Sequence, residues 1–307
     1  MKKIEDLFNE MLDNITLTST QRCDAQTKYE GVINCLTKHF YDREHNGNDL
    51  FLFGSYKTKT HIRPLTDNSD VDVLFKINQE IYDKYKDNPS GLLQEIRAAL
   101  KETYTTTDKI SAWGKVVLVK FADGHHNVEV LPALEDEDGK FSIPNTCDSG
   151  HWETGFDPRK QVDEFQESNK ATNETTRNIV KMIKRWVCYT STLEYKSYLI
   201  VGDVIEFLTS CYPSGKSDKE EWDELLLDFF TYIKNHKKGH HKAIASHIDT
   251  AHSRAIKAVE YRKEGKYIEA SEEWRKVFGT EFPKAEENEE KIVESRQFTS
   301  APRPWYI

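Results

Sequence analysis

Two carboxylates stand on one face of a strand that is otherwise apolar. The run Asp70-Val71-Asp72-Val73-Leu74-Phe75 begins with strict alternation of acidic and aliphatic residues. Successive side chains of a strand point to opposite faces, so Asp70 and Asp72 share one face and the valines are buried on the other. Neighbouring carboxylates repel each other unless a cation neutralises them. The pattern predicts a half-buried strand with a site for Mg²⁺, which prefers carboxylate oxygens together with substrate phosphates.

An acid-hydrophobe-acid run can also be the solvated face of an edge strand, without a catalytic role. The residues before this strand favour the catalytic interpretation. Phe51-Leu52-Phe53 predicts a short strand, and Gly54-Ser55 begins a loop at its end. A backbone without a Cβ can approach a phosphate closely, and a serine hydroxyl can hydrogen-bond one. Gly54 and Ser55 can therefore bind a phosphate; the alternative is that the pair marks only a turn.

A third carboxylate follows in a pair of β-rich runs. Residues 115–121 and 127–133 are joined through Asp123-Gly124, which is a strong hairpin signal. In the second run Glu129 lies between two valines, so one face is apolar and the other carries a single carboxylate. Glu129 joins the first two acids if these strands share a sheet. The alternative is an exposed glutamate on a half-buried sheet.

Together these motifs resemble the DNA polymerase β-type nucleotidyltransferase superfamily, in which a Gly-Ser loop precedes an acid-hydrophobe-acid strand and a later strand supplies a third acid. More narrowly, they are similar to the bacterial cGAS/DncV-like nucleotidyltransferases, or CD-NTases, relatives of cyclic GMP-AMP synthase and oligoadenylate synthase. The resemblance covers residues 1 to about 283. The segments that carry it are residues 53–60, 69–74, 129–133, 178–186, 196–200 and 270–279. It implies an α+β, bilobal fold with a mixed β-sheet in the catalytic lobe and a helical second lobe.

The resemblance also implies roles for individual residues. The three acids, Asp70, Asp72 and Glu129, become catalytic and metal-binding residues, with Mg²⁺ as cofactor and Mn²⁺ able to substitute. Lys184 and Ser197 match triphosphate-contacting residues, and Tyr198 matches an aromatic residue that contacts the base. Each has a structural alternative, since a lysine on an amphipathic helix is usually its solvated face and a tyrosine at helical spacing can belong to the core. Many relatives carry a glycine where this chain has Lys59.

The activity implied is the joining of nucleoside triphosphates, ATP among them, into a cyclic di- or trinucleotide second messenger with release of pyrophosphate. The resemblance places this reaction in anti-phage (CBASS) signalling, with a product-sensing effector protein and a possible regulatory protein as partners. The alternatives are a linear oligoadenylate synthase or RNA-tailing enzyme, a transferase that modifies a macromolecule or an antibiotic, and a catalytically dead scaffold. The presence of all three acids disfavours the scaffold.

The composition of the chain limits the compartment and the partners that we expect for it. The chain has 307 residues, a formal net charge of −9, no run as long as a membrane span and no apolar signal-peptide core. Its five cysteines are odd in number and scattered, as expected for reduced thiols in the cytoplasm. The negative charge opposes polyanion binding, so we expect no obligatory nucleic-acid ligand and no membrane partner.

The order of elements predicts a division of the chain at residue 157. A catalytic lobe over residues 1–157 would precede a helical lobe over 158–283 and a C-terminal tail over 284–307. In the first lobe, Thr18 and Gln21 form a capping-box pattern at the start of the second helix. Helices are predicted near residues 4–14, 18–42, 90–103, 173–190, 198–211, 219–236, 241–264 and 266–278, and strands near residues 50–53, 70–77, 115–121 and 127–133.

Overall fold

The computed structural model describes residues 2–66, 69–107, 109–123, 125–147, 150–217, 221–236 and 238–286. The strands are β1 (Leu50–Leu52), β2 (Asp70–Ile77), β3 (Lys109–Trp113), β4 (Val116–Lys120), β5 (Asn127–Glu135), β6 (Phe141–Asn145) and β7 (His151–Phe156). The helices are α1 (Ile4–Ile15), α2 (Ser19–Tyr41), α3 (Gly54–Lys57), α4 (Gln79–Tyr85), α5 (Pro89–Thr103), α6 (Pro158–Ala171), α7 (Thr175–Tyr189), α8 (Ser197–Cys211), α9 (Trp222–His236), α10 (Gly239–Ala243), α11 (Ala245–Lys263) and α12 (Tyr267–Phe278). No helix among the described residues is both long and apolar enough to cross a lipid bilayer.

Contacts within the chain divide the described residues into two compact units. One unit contains residues 15–184 and 197–215, and the other contains the described parts of 1–14, 185–196 and 216–307. The sheet lies wholly in the first unit. The predicted boundary at residue 157 stays a prediction, and most of the predicted tail, residues 287–307, lies outside the described residues.

The sheet of the first unit is mixed, as predicted. Its strand order is β1-β2-β5-β4-β3, and β6 extends it by pairing with both β5 and β7. Strands β2 and β5 run parallel, whereas the other pairs are antiparallel. The predicted hairpin of β4 and β5 is confirmed, although its Gly124 lies outside the described residues.

The two faces of this sheet are buried to different extents. On one face the alternate residues Val71, Val73 and Phe75 of β2 pack with α2 and α5 in a large apolar core. The opposite face holds a smaller apolar cluster built on Leu74 and Leu131. The same alternation that buries the valines therefore directs the carboxylates of β2 toward the less covered face.

Most predicted elements are present, with corrections where the hydrophobic pattern was weak. The capping box at Thr18 is confirmed, because its side chain accepts a hydrogen bond from the Gln21 backbone and the Gln21 side chain reaches back to Thr18. Strands β3, β6 and β7 and helix α4 were missed. No residue of β7 is buried, and β6 contains Pro144, a residue that disfavours strands. The helix predicted over 241–264 is divided at Ile244 into α10 and α11.

The second unit is built from helices around an aromatic core. Phe8 of α1 makes edge-to-face contacts with Trp274 and Phe282, with ring centroids 5.2 and 4.8 Å apart. Arg262 of α11 donates a 2.6 Å hydrogen bond to the fully buried carboxylate of Asp223 in α9. Burial raises the pKa of Asp223 to about 6, and the hydrogen bond from Arg262 opposes that rise.

Lys59 occupies a backbone conformation that favours glycine. Its φ angle is +57°, in the left-handed region where a Cβ costs roughly 1–2 kcal/mol. We expect Lys59→Gly to leave the fold intact and to raise the free energy of unfolding by up to about 1 kcal/mol, since the glycine also adds entropy to the unfolded chain. Urea denaturation of the purified protein measures this change. A decrease of more than about 1 kcal/mol would show that the Lys59 side chain makes a stabilising contact.

Candidate active site

The pairing of β2 with β5 brings the three predicted acids together. In the parallel register Asp72 lies beside Glu129, and Asp70 lies beside Asn127. Alternation places all four side chains on the less covered face of the sheet. The structure thus brings Asp70, Asp72 and Glu129 to one place, although they are separated by up to 59 positions in sequence.

The surroundings of Asp72 and Glu129 disfavour their ionised forms. Burial, followed by the charge of Asp70, raises the pKa of Asp72 to about 6, and the ammonium of Lys184 partly opposes this. Burial, followed by the charges of Asp70 and then Asp72, raises the pKa of Glu129 to about 7. The shared cause is a cluster of desolvated like charges, which a cation would relieve.

Asp70 is held by a neighbour that the sequence analysis missed. Asn127 Nδ2 donates a 3.0 Å hydrogen bond to Asp70 Oδ1. Burial raises the pKa of Asp70, whereas the bond from Asn127 and the charge of Lys120 lower it. The signal for Asn127 was its position two residues before Glu129, which puts both side chains on the same face of a strand.

The Gly54-Ser55 motif forms one helical turn, α3, rather than an open loop. Gly54 has a φ angle of +63°, and a Cβ at this position would overlap the Asp72 carboxylate, whose Cγ would be 2.9 Å away. The backbone carbonyl of Ser55 accepts hydrogen bonds from the amides of Thr60 and His61, at 2.9 and 3.1 Å. The glycine is therefore required by close packing against a carboxylate as well as by backbone conformation.

Lys184 is a buried residue of α7 rather than part of its solvated face. Only 8% of its surface is exposed, and its Nζ lies 3.3 Å from Thr60 Oγ1, in the segment that follows α3. Its ammonium acts electrostatically on Asp72. The structure therefore places a positive charge beside the predicted phosphate-binding turn, which is where a triphosphate-contacting lysine is expected.

Ser197 and Tyr198 begin helix α8, which packs against α6. Both residues are exposed, and the Tyr198 side chain is 67% accessible to solvent. The exposure of Tyr198 argues against a core position. The contact of Ser197 with phosphate and the contact of Tyr198 with a base remain predictions.

The arrangement of donors suits a hard divalent cation. Asp70, Asp72 and Glu129 supply carboxylate oxygens on one face of the sheet. Burial, followed by the charges of neighbouring carboxylates, raises the pKa of both Asp72 and Glu129. Oxygen donors of this kind fit Mg²⁺ or Mn²⁺ better than a thiophilic metal.

A cavity of about 210 Å³ opens beside the carboxylates. Asp72 and Glu129 form part of its wall, and Lys115 and Glu153 form a charged wall. Its remaining lining is apolar and comprises Phe53, Val116, Leu131, Ile143 and Phe156. Carboxylates, a charged pair and aromatic rings in one small cavity can bind a polar, planar ligand.

Comparison with known proteins agrees with this geometry. Residues 1–169, over half of the chain, match the family model described as the Second Messenger Oligonucleotide or Dinucleotide Synthetase domain (SMODS). A probable cyclic nucleotide synthase of Bacillus cereus is 27% identical over 289 residues, covering 78% of this chain and 84% of the relative. The cyclic AMP-AMP-AMP synthase of an Acinetobacter species is 27% identical over 187 residues, covering 58% of this chain and 50% of the relative.

The fold is shared with a solved structure. The cyclic AMP-GMP synthase DncV of Vibrio cholerae superposes with a TM-score of 0.69 at 12% identity, covering 92% of this chain and 97% of that protein. This likeness confirms the predicted polymerase β-type fold. The match over residues 1–169 identifies the chain as a member of the SMODS family.

Proposed function

We propose that this protein joins nucleoside triphosphates into a cyclic di- or trinucleotide second messenger and releases pyrophosphate. The observation that carries the proposal is the register of β2 and β5, which sets Asp72 beside Glu129 and places Asp70 on the same face. Family membership and relatives named as cyclic nucleotide synthases support the same activity.

In this mechanism the chain's own groups bind and orient the reactants. Asp70, Asp72 and Glu129 would hold Mg²⁺, which supplies charge neutralisation at the phosphates and lowers the pKa of the attacking ribose hydroxyl. Gly54 allows α3 to lie close to the Asp72 carboxylate, and the Ser55 hydroxyl donates a hydrogen bond to the phosphate oxygens. In-line orientation of the hydroxyl and the α-phosphorus then supplies much of the rate enhancement.

Lys184 adds a positive charge to the three carboxylates of the proposed site. Its burial next to Thr60 fixes the ammonium near the phosphate-binding turn without exposing it to solvent. Negative charge develops on the leaving pyrophosphate. An ammonium group in a partly buried site stabilises this charge more than an ammonium group in water would. Ser197 and Tyr198 at the start of α8 would complete the contacts to the triphosphate and base.

The wider setting follows from the family description of second-messenger synthesis. A signalling nucleotide requires a receptor, so the proposed partners are a product-sensing effector protein and, for control, a regulatory protein. We place this exchange in the cytoplasm, as part of anti-phage (CBASS) signalling. ATP is proposed as one substrate, with the second base left to experiment. A linear oligonucleotide product is the alternative within the same chemistry.

Incubation with α-labelled ATP, GTP, CTP and UTP plus Mg²⁺ or Mn²⁺ tests the proposal. Phosphatase treatment followed by mass spectrometry separates products, because a cyclic oligonucleotide has no terminal phosphate and survives. We expect a phosphatase-resistant product that contains adenine. A product that phosphatase trims to a free hydroxyl end supports the linear alternative. The absence of any incorporated nucleotide, with candidate regulatory proteins also added, contradicts the proposed function.

A further inference from the structure

The cavity beside the carboxylates has one charged end that the proposed catalysis does not use. Lys115 Nζ and Glu153 Oε2 form an ion pair 2.5 Å apart, and Asn145 Nδ2 donates a 2.6 Å hydrogen bond to Glu153 Oε1. The hydrogen bonds from Lys115 and then Asn145 hold the pKa of Glu153 below its usual range, so the carboxylate is ionised at neutral pH. The pair is about one-third to two-fifths exposed, and its groups are accessible to a ligand.

The residues that line the cavity between this pair and the carboxylates are apolar. Phe53 and Phe156 meet edge to face with their centroids 5.9 Å apart, above a floor that includes Leu131 and Ile143. A volume of about 210 Å³ is small for a whole nucleotide but sufficient for a planar heterocycle. Asp72 and Glu129 line the same cavity, so the ribose and phosphates of a nucleotide whose base is bound there can reach the carboxylates.

An exposed aromatic ring lies next to this cavity. Trp113 ends β3 and pairs with Val116, which lines the cavity, and its side chain is 69% exposed. Leu118 of β4 lies beside Glu129 of β5, so the alternation along β4 puts Val116 on the same face as the carboxylates. Residues paired across an antiparallel ladder point to the same face, which adds Trp113 to that face. An exposed indole there offers a stacking surface for a base.

We infer that this cavity binds the base of the acceptor nucleotide and that the Lys115–Glu153 pair selects guanine; the inference rests on the proposed function. The Watson–Crick edge of guanine carries one acceptor, O6, beside two donors, N1–H and N2–H₂. An ammonium adjacent to a carboxylate matches that order, with Lys115 donating to O6 and the two oxygens of Glu153 accepting from N1–H and N2–H₂. Asn145 is the positioning residue, because it fixes the plane of the carboxylate. Adenine presents a single donor at this edge and leaves one Glu153 oxygen unmatched.

Binding of non-hydrolysable α,β-methylene analogues of GTP, ITP and ATP in the presence of Mg²⁺ tests the inference by calorimetry. We expect the wild-type affinity to fall in the order GTP, ITP, ATP, since ITP lacks the N2 amino group. Glu153→Gln should reduce the GTP-to-ATP affinity ratio about tenfold, because the amide replaces one of the two oxygens that accept from N1–H and N2–H₂. Trp113→Ala should weaken all three analogues by a similar factor, since stacking is tolerant of sequence.

A matched control is available in a second ion pair of the same unit. Lys84 and Glu95 are 2.9 Å apart on α4 and α5, away from the cavity, so Glu95→Gln should leave the affinity ratio unchanged. A wild-type protein without preference for the GTP analogue, or an unchanged ratio in Glu153→Gln, overturns the inference and leaves the proposed function standing. A protein that binds none of the three triphosphate analogues contradicts both.

Discussion

Replacing Asp72 by asparagine is expected to reduce the rate of nucleotide joining by on the order of a thousandfold while leaving the protein folded. The amide keeps the shape of the side chain but removes a negative ligand from the face that Asp72 shares with Asp70 and Glu129. Loss of one preorganised charge-stabilising group typically costs 10²–10³-fold in rate. Single-turnover formation of labelled product by wild type and Asp72→Asn measures the effect.

Asp72→Asn should lower the rate but raise the stability of the folded protein. A loss of activity caused by misfolding would instead lower the stability. The folded-state pKa of Asp72, about 6, lies above its ordinary value of 3.8, so protonation favours the folded state. This stabilisation is present below the ordinary value and is lost as the pH rises through about 6. At pH 8 without divalent metal, Asp72→Asn should therefore raise Tm by several degrees. Removing the buried negative charge should raise the free energy of unfolding by roughly 1–3 kcal/mol.

Two outcomes would contradict this account of Asp72. A variant that retains more than about a tenth of the wild-type rate would show that the carboxylate is not part of the reacting site. A Tm at pH 8 below that of wild type would show that the side chain is held by stabilising contacts rather than by repulsion. Asp136→Asn, at an exposed carboxylate that follows β5, is the matched control and should change neither rate nor the affinity for Mg²⁺.

Replacing Gly54 by alanine is expected to abolish detectable activity through a steric effect on Asp72. The added Cβ would overlap the Asp72 carboxylate, so either α3 or the side chain of Asp72 must move. A displacement of about 1 Å at a catalytic group can cost a hundredfold in rate. Product formation and the Kd for an ATP analogue should both be impaired.

Gly47→Ala supplies the control for backbone strain. Gly47 also has a positive φ angle, +85°, but a Cβ there would meet nothing within 4 Å. Both variants should lose roughly 1–2 kcal/mol of stability from the left-handed conformation, and only Gly54→Ala should lose activity. Equal activities of the two variants would show that Gly54 is required for its backbone conformation alone.

The catalytic strands could be predicted because their alternation is strong and local. Asp70 and Asp72 are flanked by valines that are fully buried, and Glu129 repeats the pattern on β5. Strand β7 could not be predicted in this way, since its side chains are half-buried or exposed and the pairing with β6 defines it. The Lys115–Glu153 ion pair was missed because its two residues lie 38 positions apart, and Glu153 belongs to the weakly patterned β7.

The sequence by itself determined the chemistry of this protein: three carboxylates at strand positions, a Gly-Ser turn before them and a lysine-bearing helix after them. Alternation along a strand is a property of the backbone, so the face that each acid occupies follows from local sequence. The tertiary structure decided what lies next to those acids. The parallel register put Glu129 beside Asp72, and the packing of α7 buried Lys184 near Thr60. The pairing of β6 with β7 placed Glu153 in the cavity wall, where it meets Lys115. Register and packing depend on contacts between distant segments, which no local pattern specifies.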